Sequence, residues 1–195
     1  MEHQAANPTG FVGRLFGLSM EILNKSSNRA VADVAASLNP TKICEVGCGP
    51  GQLLEMLAER LPDCAIVGTD ISDEMVASAK RRTRCFGARV TVEKLGAEDL
   101  PSAGIGGLSL ICAVHSFQFW KSPETLVPEL KKLLAPDGHV LLCLRLHSGG
   151  SRGGDLTNRV SKADDQPAAI AALFEAAGFT ARPQISEKIL LFGVS

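Results

Sequence analysis

The sequence lacks several features that would assign the chain to common classes of protein. No apolar stretch reaches the roughly 18–20 residues that a membrane-spanning helix needs. The net charge of −1 provides no basic face for nucleic acid. Residues 1–8 lack the positive segment and the long apolar run of a signal peptide. We therefore expect a cytoplasmic protein without a membrane span, and we do not expect nucleic acid as its partner.

Cysteine is present, but its spacing argues against the usual cysteine-based sites. None of the six cysteines belongs to a Cys-x-x-Cys pair, and no histidine lies at ligand spacing from them. Most of them fall in or beside apolar strand-like segments, where a free cysteine behaves as a small hydrophobic residue. We therefore expect neither a metal site nor a disulfide framework.

Strand-like and helix-like segments alternate along the chain, which predicts an α/β fold with a mainly parallel sheet. The length of 195 residues suits one domain with a full core. A helix is expected over 11–23, and a second one from Ser27 or Asn28, both good N-caps, to the stop at Asn39-Pro40. Strands are expected over 42–46, 65–69, 89–92, 108–113 and 139–144. Two closing strands are expected over 180–186 and 188–194. The connection between them is so short that it predicts an antiparallel hairpin.

The remaining helices and turns are marked by their capping residues. We expect helices over 51–61, after Ser72, after Ser122-Pro123 and over 166–177, and a turn at 136–138. Residues 148–155 are rich in glycine and serine and predict a flexible loop. This loop is either a mobile flap over a ligand site or a tolerated surface insertion.

Acid and glycine residues follow the first predicted strand in a pattern that favours a ligand site. Glu45 lies near the end of this strand, and Gly47, Gly49 and Gly51 follow at every second position before a helix begins. Asp70 ends the second strand. Glycines without a Cβ, a helix N-terminus and a carboxylate placed for a ribose diol together predict a nucleoside site.

The charge beside the glycines indicates what kind of ligand binds. Dinucleotide-binding turns use Gly-x-Gly-x-x-Gly, whereas this turn has another spacing and is preceded by Glu45. A pyrophosphate prefers amide donors without a nearby carboxylate, whereas an ammonium group prefers acceptors. The sequence therefore favours a ligand that carries positive charge.

From about residue 42 onward, the chain resembles the class I S-adenosylmethionine-dependent methyltransferases, and most closely the small-molecule branch related to quinone biosynthesis. The similarity lies in four segments in the family's order: 45–51, 67–75, 97–101 and 133–141. It implies a doubly wound, seven-stranded, mostly parallel sheet of order 3-2-1-4-5-7-6 with helices on both faces. It also implies a methyltransferase domain over 41–195, a small helical cap over 1–40, and S-adenosyl-L-methionine as the cofactor.

The resemblance implies roles for individual residues toward that cofactor. Asp70 would bind both ribose hydroxyls, and backbone carbonyls near Gly47 and Ala113 would accept from the ammonium group. The family often has an aspartate just before the third segment, where this chain has Gly96, and Glu98 is the expected substitute. The predicted cofactor-binding residues are Glu45, Gly47, Gly49, Gly51, Asp70, Ile71, Met75, Ala97, Glu98 and Ala113.

The acceptor side is less sharply defined by the sequence. A sulfonium methyl is already activated, so a base is needed only when the acceptor must lose a proton. His115 is the first candidate base; it is otherwise a polar contact or a packed residue without a chemical role. His147 is a weaker candidate. An apolar substrate wall is predicted from Phe117, Phe119, Trp120 and Phe16, all of which ordinary core packing would explain equally well.

The expected activity is therefore methyl transfer to a small, partly apolar metabolite, with no preference among oligomeric states. The alternative is a protein that binds S-adenosylmethionine or S-adenosylhomocysteine without catalysis, because the motifs identify the cofactor better than the reaction. A nicotinamide oxidoreductase is disfavoured by the glycine spacing.

Overall fold

The computed structural model describes residues 10–144, 166–182, 186 and 188–194, and for residues 10–23 and 166 it describes the backbone alone. The loop predicted over 148–155 and the candidate His147 therefore lie outside the described residues, as does the side chain of Phe16.

One sheet of seven strands forms the centre of the described chain. Its order is β3-β2-β1-β4-β5-β7-β6, and β7 is antiparallel to both of its neighbours while the other pairings are parallel. This confirms the predicted fold class, including the closing hairpin. The strands are β1 Lys42–Val46, β2 Ala65–Asp70, β3 Val90–Lys94, β4 Leu108–Val114, β5 Leu134–Cys143, β6 Phe179–Ala181 and β7 Ile189–Val194.

Helices cover both faces of the sheet, as expected of a doubly wound fold. They are α1 Gly10–Ser37, α2 Gln52–Arg60, α3 Asp73–Thr83, α4 Pro123–Leu133 and α5 Gln166–Ala176. Helices α1, α2 and α3 contribute to one buried apolar cluster, while α4 and α5 contribute to the other. Covering both faces explains why β4 is apolar along almost its whole length.

The direction of strand addition reverses beside β1. The chain places β2 and β3 on one side of β1 and then crosses to β4 on the other side. The loops that leave β1 and β4 therefore diverge and leave a crevice at the carboxyl ends of these strands, which is where ligands bind in open parallel sheets.

The N-terminal segment differs from the prediction. The structure has one helix, α1, where the sequence predicted two helices separated at Ser27 or Asn28. These residues favour helix starts locally, but here their side chains bond to other parts of the fold, to His115 and Gln52. The predicted break is therefore wrong. The last turns of α1 lie in the core through Val31 and its neighbours, and the boundary at residue 40 stays a prediction.

The turn predicted at residues 136–138 lies within a strand. A step of two residues along β4, from Leu108 to Leu110, corresponds to a step of five along β5, from Leu134 to His139. The extra residues form a bulge in which Asp137 has a φ of +62°. The local turn chemistry was interpreted correctly, but pairing resumes in the same strand, so β5 begins before the turn rather than after it.

No helix in the described part of the chain is both long and apolar enough to cross a membrane. No group of three or more histidine, cysteine or acidic side chains there could hold a metal ion. The cytoplasmic location stays a prediction.

We predict that Gly51→Ala destabilises the fold strongly. Gly51 has a φ of +83°, and an added Cβ would lie 2.9 Å from the backbone of Ala79 in α3. The left-handed backbone and the overlap together predict a loss of about 2–5 kcal/mol in the free energy of unfolding, measured by urea titration. Gly104→Ala is the matched control, because Gly104 has a φ of +70° with no atom within 4 Å of the added Cβ. The control should lose only about 1–2 kcal/mol, and equal losses in the two variants would show that the contact with α3 is unimportant.

Candidate functional site

A cavity of about 300 Å³ opens at the carboxyl ends of β1, β2 and β4. Helix α1 and the first residue of α2 complete its wall. Most of the residues predicted from the sequence meet there. Those on the wall are Glu45, Gly47, Gly49, Asp70, Ile71, Met75, Ala97, Glu98, His115, Phe119 and Trp120.

The turn after β1 exposes its backbone to the cavity. The amides of Gly47 and Cys48 both donate to the carbonyl of Thr69, at 2.8 and 2.9 Å, which fixes the turn against β2. An added Cβ at Gly47 would lie 2.5 Å from the Cβ of Ser116, whereas one at Gly49 would meet no atom within 4 Å. The open space at Gly49 leaves room for a ligand against the main chain. Gly51 does not line the cavity and packs against α3 instead.

Asp70 is held rigidly at the end of β2. Its two carboxylate oxygens accept from the amides of Gly49 and Ser72, each at 2.9 Å. Burial raises the pKa of the Asp70 carboxyl, and the hydrogen bonds from the backbone oppose that rise. Because each carboxylate oxygen has two acceptor positions, the group can still receive hydrogen bonds from a ligand diol.

Glu45 is the most unusual residue of the site. Its side chain is 3% exposed, and none of the described residues donates a hydrogen bond to its Oε2 atom. Burial raises the pKa of the Glu45 carboxyl well above its ordinary value, and the negative charge of Asp70 raises it further. A buried acceptor without a donor, next to a second acid, favours a ligand that brings both positive charge and N–H groups.

Positive charge is scarce on this wall. Among the described lining residues, the sole Lys or Arg is Lys121, and its side chain is exposed. Four acidic side chains line the same cavity: Glu45, Asp70, Glu98 and Asp99. The field in the cavity therefore favours cations over anions.

In the region predicted for adenine, position 96 is a glycine, and we call the place of its missing side chain the gap. Ile71 is 47% exposed and forms an apolar face beside the gap. An added Cβ at Gly96 would lie 3.1 Å from the Oδ2 atom of Asp99 and 3.5 Å from Ile71. Glu98, the expected substitute, accepts a hydrogen bond from the amide of Lys121. The carboxylate nearest to the gap is therefore that of Asp99.

His115 lies directly after β4 in a left-handed conformation, with a φ of +54°. The side chain is buried on the cavity wall. Its amide donates to the carbonyl of Cys143 at 2.8 Å, and its Nε2 atom lies 3.1 Å from the Oγ atom of Ser27. The ring therefore has a defined place at the edge of the cavity.

The predicted aromatic wall is only partly formed. Phe119, 43% exposed, and Trp120 line the cavity. Phe117 is buried behind them, with its ring centroid 4.8 Å from that of Trp120. Among the described residues, none accepts a hydrogen bond from the Nε1 atom of Trp120. Ala113 is buried within β4, and the neighbouring Val114 lines the cavity in its place.

Sequence reasoning missed several polar residues of the wall, among them Asn28, Gln52 and Ser116. Asn28 donates to the side-chain oxygen of Gln52 at 2.8 Å, which joins α1 to the start of α2. Ser116 donates from its hydroxyl to the carbonyl of Val46. Gln52 follows the glycine turn directly and could have been found from that position, whereas Asn28 was interpreted as a helix cap.

Comparison with known proteins gives a family match and several relatives. The family described as "Methyltransferase domain" matches residues 43–138. A demethylmenaquinone methyltransferase from Thermus thermophilus is 30% identical over 114 residues, which are 58% of this chain and 51% of that protein. A trans-aconitate 2-methyltransferase from Methylobacterium nodulans is 33% identical over 114 residues, which are 56% of this chain and 42% of that protein. The chain thus spans about half the length of the curated relatives it matches.

Solved structures agree with the sheet topology. An O-methyltransferase family protein from Burkholderia thailandensis has a TM-score of 0.73 at 14% identity, over 92% of this chain and 58% of that one. At this identity, the likeness shows the fold alone. The matched domain, the curated relatives and this fold together indicate a class I S-adenosylmethionine-dependent methyltransferase.

Proposed function

We propose that the protein transfers the methyl group of S-adenosylmethionine to a small, partly apolar metabolite. The observation that carries this proposal is the buried Oε2 atom of Glu45, which has no donor among the described residues and lies in the same cavity as Asp70. A sulfonium cofactor with an ammonium group supplies the positive charge and the N–H donors that this arrangement requires.

The residues present fit the cofactor in both of its parts. The carboxylate of Asp70 would accept from the two ribose hydroxyls, and Ile71 would pack against the adenine. The open main chain at Gly49 admits the amino-acid part next to Glu45. Each contact joins a ligand group to a residue that the fold already holds in place. Binding therefore costs little additional conformational entropy.

The chain would contribute positioning and the exclusion of water. The bound cofactor supplies an activated methyl group, and the cavity must hold the acceptor in line behind it. Such alignment can provide roughly 7–11 kcal/mol of the barrier reduction. His115, at the edge of the cavity, would receive a proton from acceptors that must lose one.

Two aromatic residues on the cavity wall favour a partly apolar acceptor. Phe119 and Trp120 give the wall an apolar surface, and the indole N–H of Trp120 would suit an acceptor oxygen. A cavity of about 300 Å³ lies at the lower end of the roughly 300–1,000 Å³ typical of small-molecule sites. The names of the relatives, which act on demethylmenaquinone and trans-aconitate, support an acceptor of metabolite size.

We predict that Asp70→Asn weakens the binding of S-adenosylmethionine roughly tenfold to a hundredfold, as measured by calorimetry, because the charged acceptor of the ribose diol is lost. Asp63→Asn removes the same charge from an exposed position before β2 and should leave the affinity unchanged. NADH should not bind measurably. An unchanged affinity in Asp70→Asn would contradict the proposed cofactor site.

We predict that the affinity for S-adenosylmethionine rises as the pH rises above 4.5, the ordinary pKa of a glutamate carboxyl. In the free protein, the raised pKa of Glu45 keeps part of the carboxyl protonated, and a cation beside it favours the ionised form. Binding should therefore release protons, which calorimetry in buffers of different ionisation enthalpy detects. Glu45→Gln should abolish the release and weaken binding, whereas Glu59→Gln, at an exposed position of α2, should change neither. Equal proton release in wild type and Glu45→Gln would exclude this carboxyl as its source.

We further predict that Asp99 accepts a hydrogen bond from the adenine amino group in place of a residue at position 96. Asp99→Ala should weaken S-adenosylmethionine binding about fivefold to thirtyfold. The same variant should leave binding of the analogue that carries inosine unweakened, because its base lacks the amino group. Asp73→Ala, an acid with a 76% exposed side chain, is the control. An equal loss of affinity for both nucleosides would show that Asp99 does not bond to the adenine amino group.

A further inference from the structure

We propose that Ser27 of α1 is a positioning residue, which holds the imidazole of His115 in one orientation and one tautomer for methyl transfer. The catalytic role of Ser27 rests on the proposed function, whereas the contact between Ser27 and His115 is present in the structure. Ser27 lies within α1 and does not cap a helix, so this contact gives the N-terminal helix a role at the site.

His115 is fixed through its main chain as well as its ring. Its left-handed φ of +54° is unusual for a residue with a side chain, and such conformations persist only where the surroundings enforce them. Here the amide of His115 donates to the carbonyl of Cys143 in β5. The backbone thus directs the side chain toward α1, where Ser27 lies.

Ser27 bonds to two partners outside its own helix. Its Oγ atom lies 3.1 Å from Nε2 of His115, and its hydroxyl also bonds to the thiol of Cys143. Serines inside helices usually bond to a carbonyl of the preceding turn, as Ser37 does with the carbonyl of Val34 at 2.7 Å. Ser27 instead connects β5 to the ring at the cavity edge.

This arrangement selects one tautomer of the neutral ring. Burial raises the pKa of the Cys143 thiol, whereas the hydrogen bond from Ser27 lowers it, so the Ser27 hydroxyl donates to the sulfur atom. The Oγ atom of Ser27 then accepts from Nε2 of His115, which places the ring proton on Nε2 and the basic lone pair on Nδ1. A hydroxyl partner also limits rotation of the ring, so the imidazole is prepared before the acceptor binds.

The neighbouring residue holds the helix in the position that this contact needs. Asn28 bonds to Gln52 at the start of α2, and both residues line the cavity. Two adjacent residues therefore attach helix α1 to His115 and to α2. This attachment gives Ser27 a fixed location relative to β5 and to the glycine turn.

The contact is tested by nuclear magnetic resonance on the full chain labelled with ¹⁵N-histidine, with saturating S-adenosylmethionine and without it. The His115 signal is identified by its loss in His115→Gln. We expect one neutral tautomer, protonated at Nε2, in wild type and in the control Ser37→Ala. Ser27→Ala should give a mixture of tautomers, and Ser27→Thr, which keeps the hydroxyl, should restore the single form. Retention of the wild-type tautomer in Ser27→Ala would overturn the proposal.

The effect on turnover is tested with labelled S-adenosylmethionine and a pool of small metabolites. Ser27→Ala should lower kcat about fivefold to tenfold with little change in the KM for the cofactor. The same substitution in a His115→Gln background should have no further effect, because Ser27 acts through His115. Equal losses in both backgrounds would mean that Ser27 acts through the fold alone. If wild type transfers no methyl group, the proposed function fails, while the tautomer measurement, which needs no turnover, still decides the contact.

Discussion

The parallel pairing of β1 between β2 and β4 is the constraint on which the site depends. It places Glu45 opposite Gly68 on one side and Cys112 on the other, so the carboxyl is deeply buried among strands. The same pairing brings the turn after β1 beside Thr69, whose carbonyl accepts from two successive amides of that turn. The glycine turn, the two acids and the cavity between diverging loops all follow from this register.

Burying two acids in one cavity opposes folding unless a ligand offsets their charge. The pKa values of both Glu45 and Asp70 are raised, and for both burial is the main cause. Asp70 is partly compensated by backbone amides, whereas the outer oxygen of Glu45 has no described donor. This difference favours hydrogen bonds from neutral hydroxyls at Asp70 and a cation at Glu45. A cofactor that carries a ribose diol and an ammonium group would satisfy both.

The parts of the site that were predictable from sequence are those set by local chemistry. Glu45, Gly47, Gly49 and Asp70 lie at strand ends and turns whose signals span a few residues, and all four line the cavity. Ser27 and Asn28 could not be assigned in this way, because their partners, His115 and Gln52, lie far along the chain. The start of β5 was misplaced for a similar reason. A turn signal at 136–138 does not reveal that β4 continues pairing beyond it.

The central claim is that this cavity binds an adenosyl sulfonium through the acids of β1 and β2. A crystal structure of the full chain with S-adenosylmethionine tests it most directly. We expect the ribose hydroxyls within hydrogen-bonding distance of the Asp70 carboxylate and the ammonium group bonded to Oε2 of Glu45. A nucleoside bound elsewhere, or a Glu45 carboxyl that still lacks a donor when the cofactor is bound, would contradict the claim.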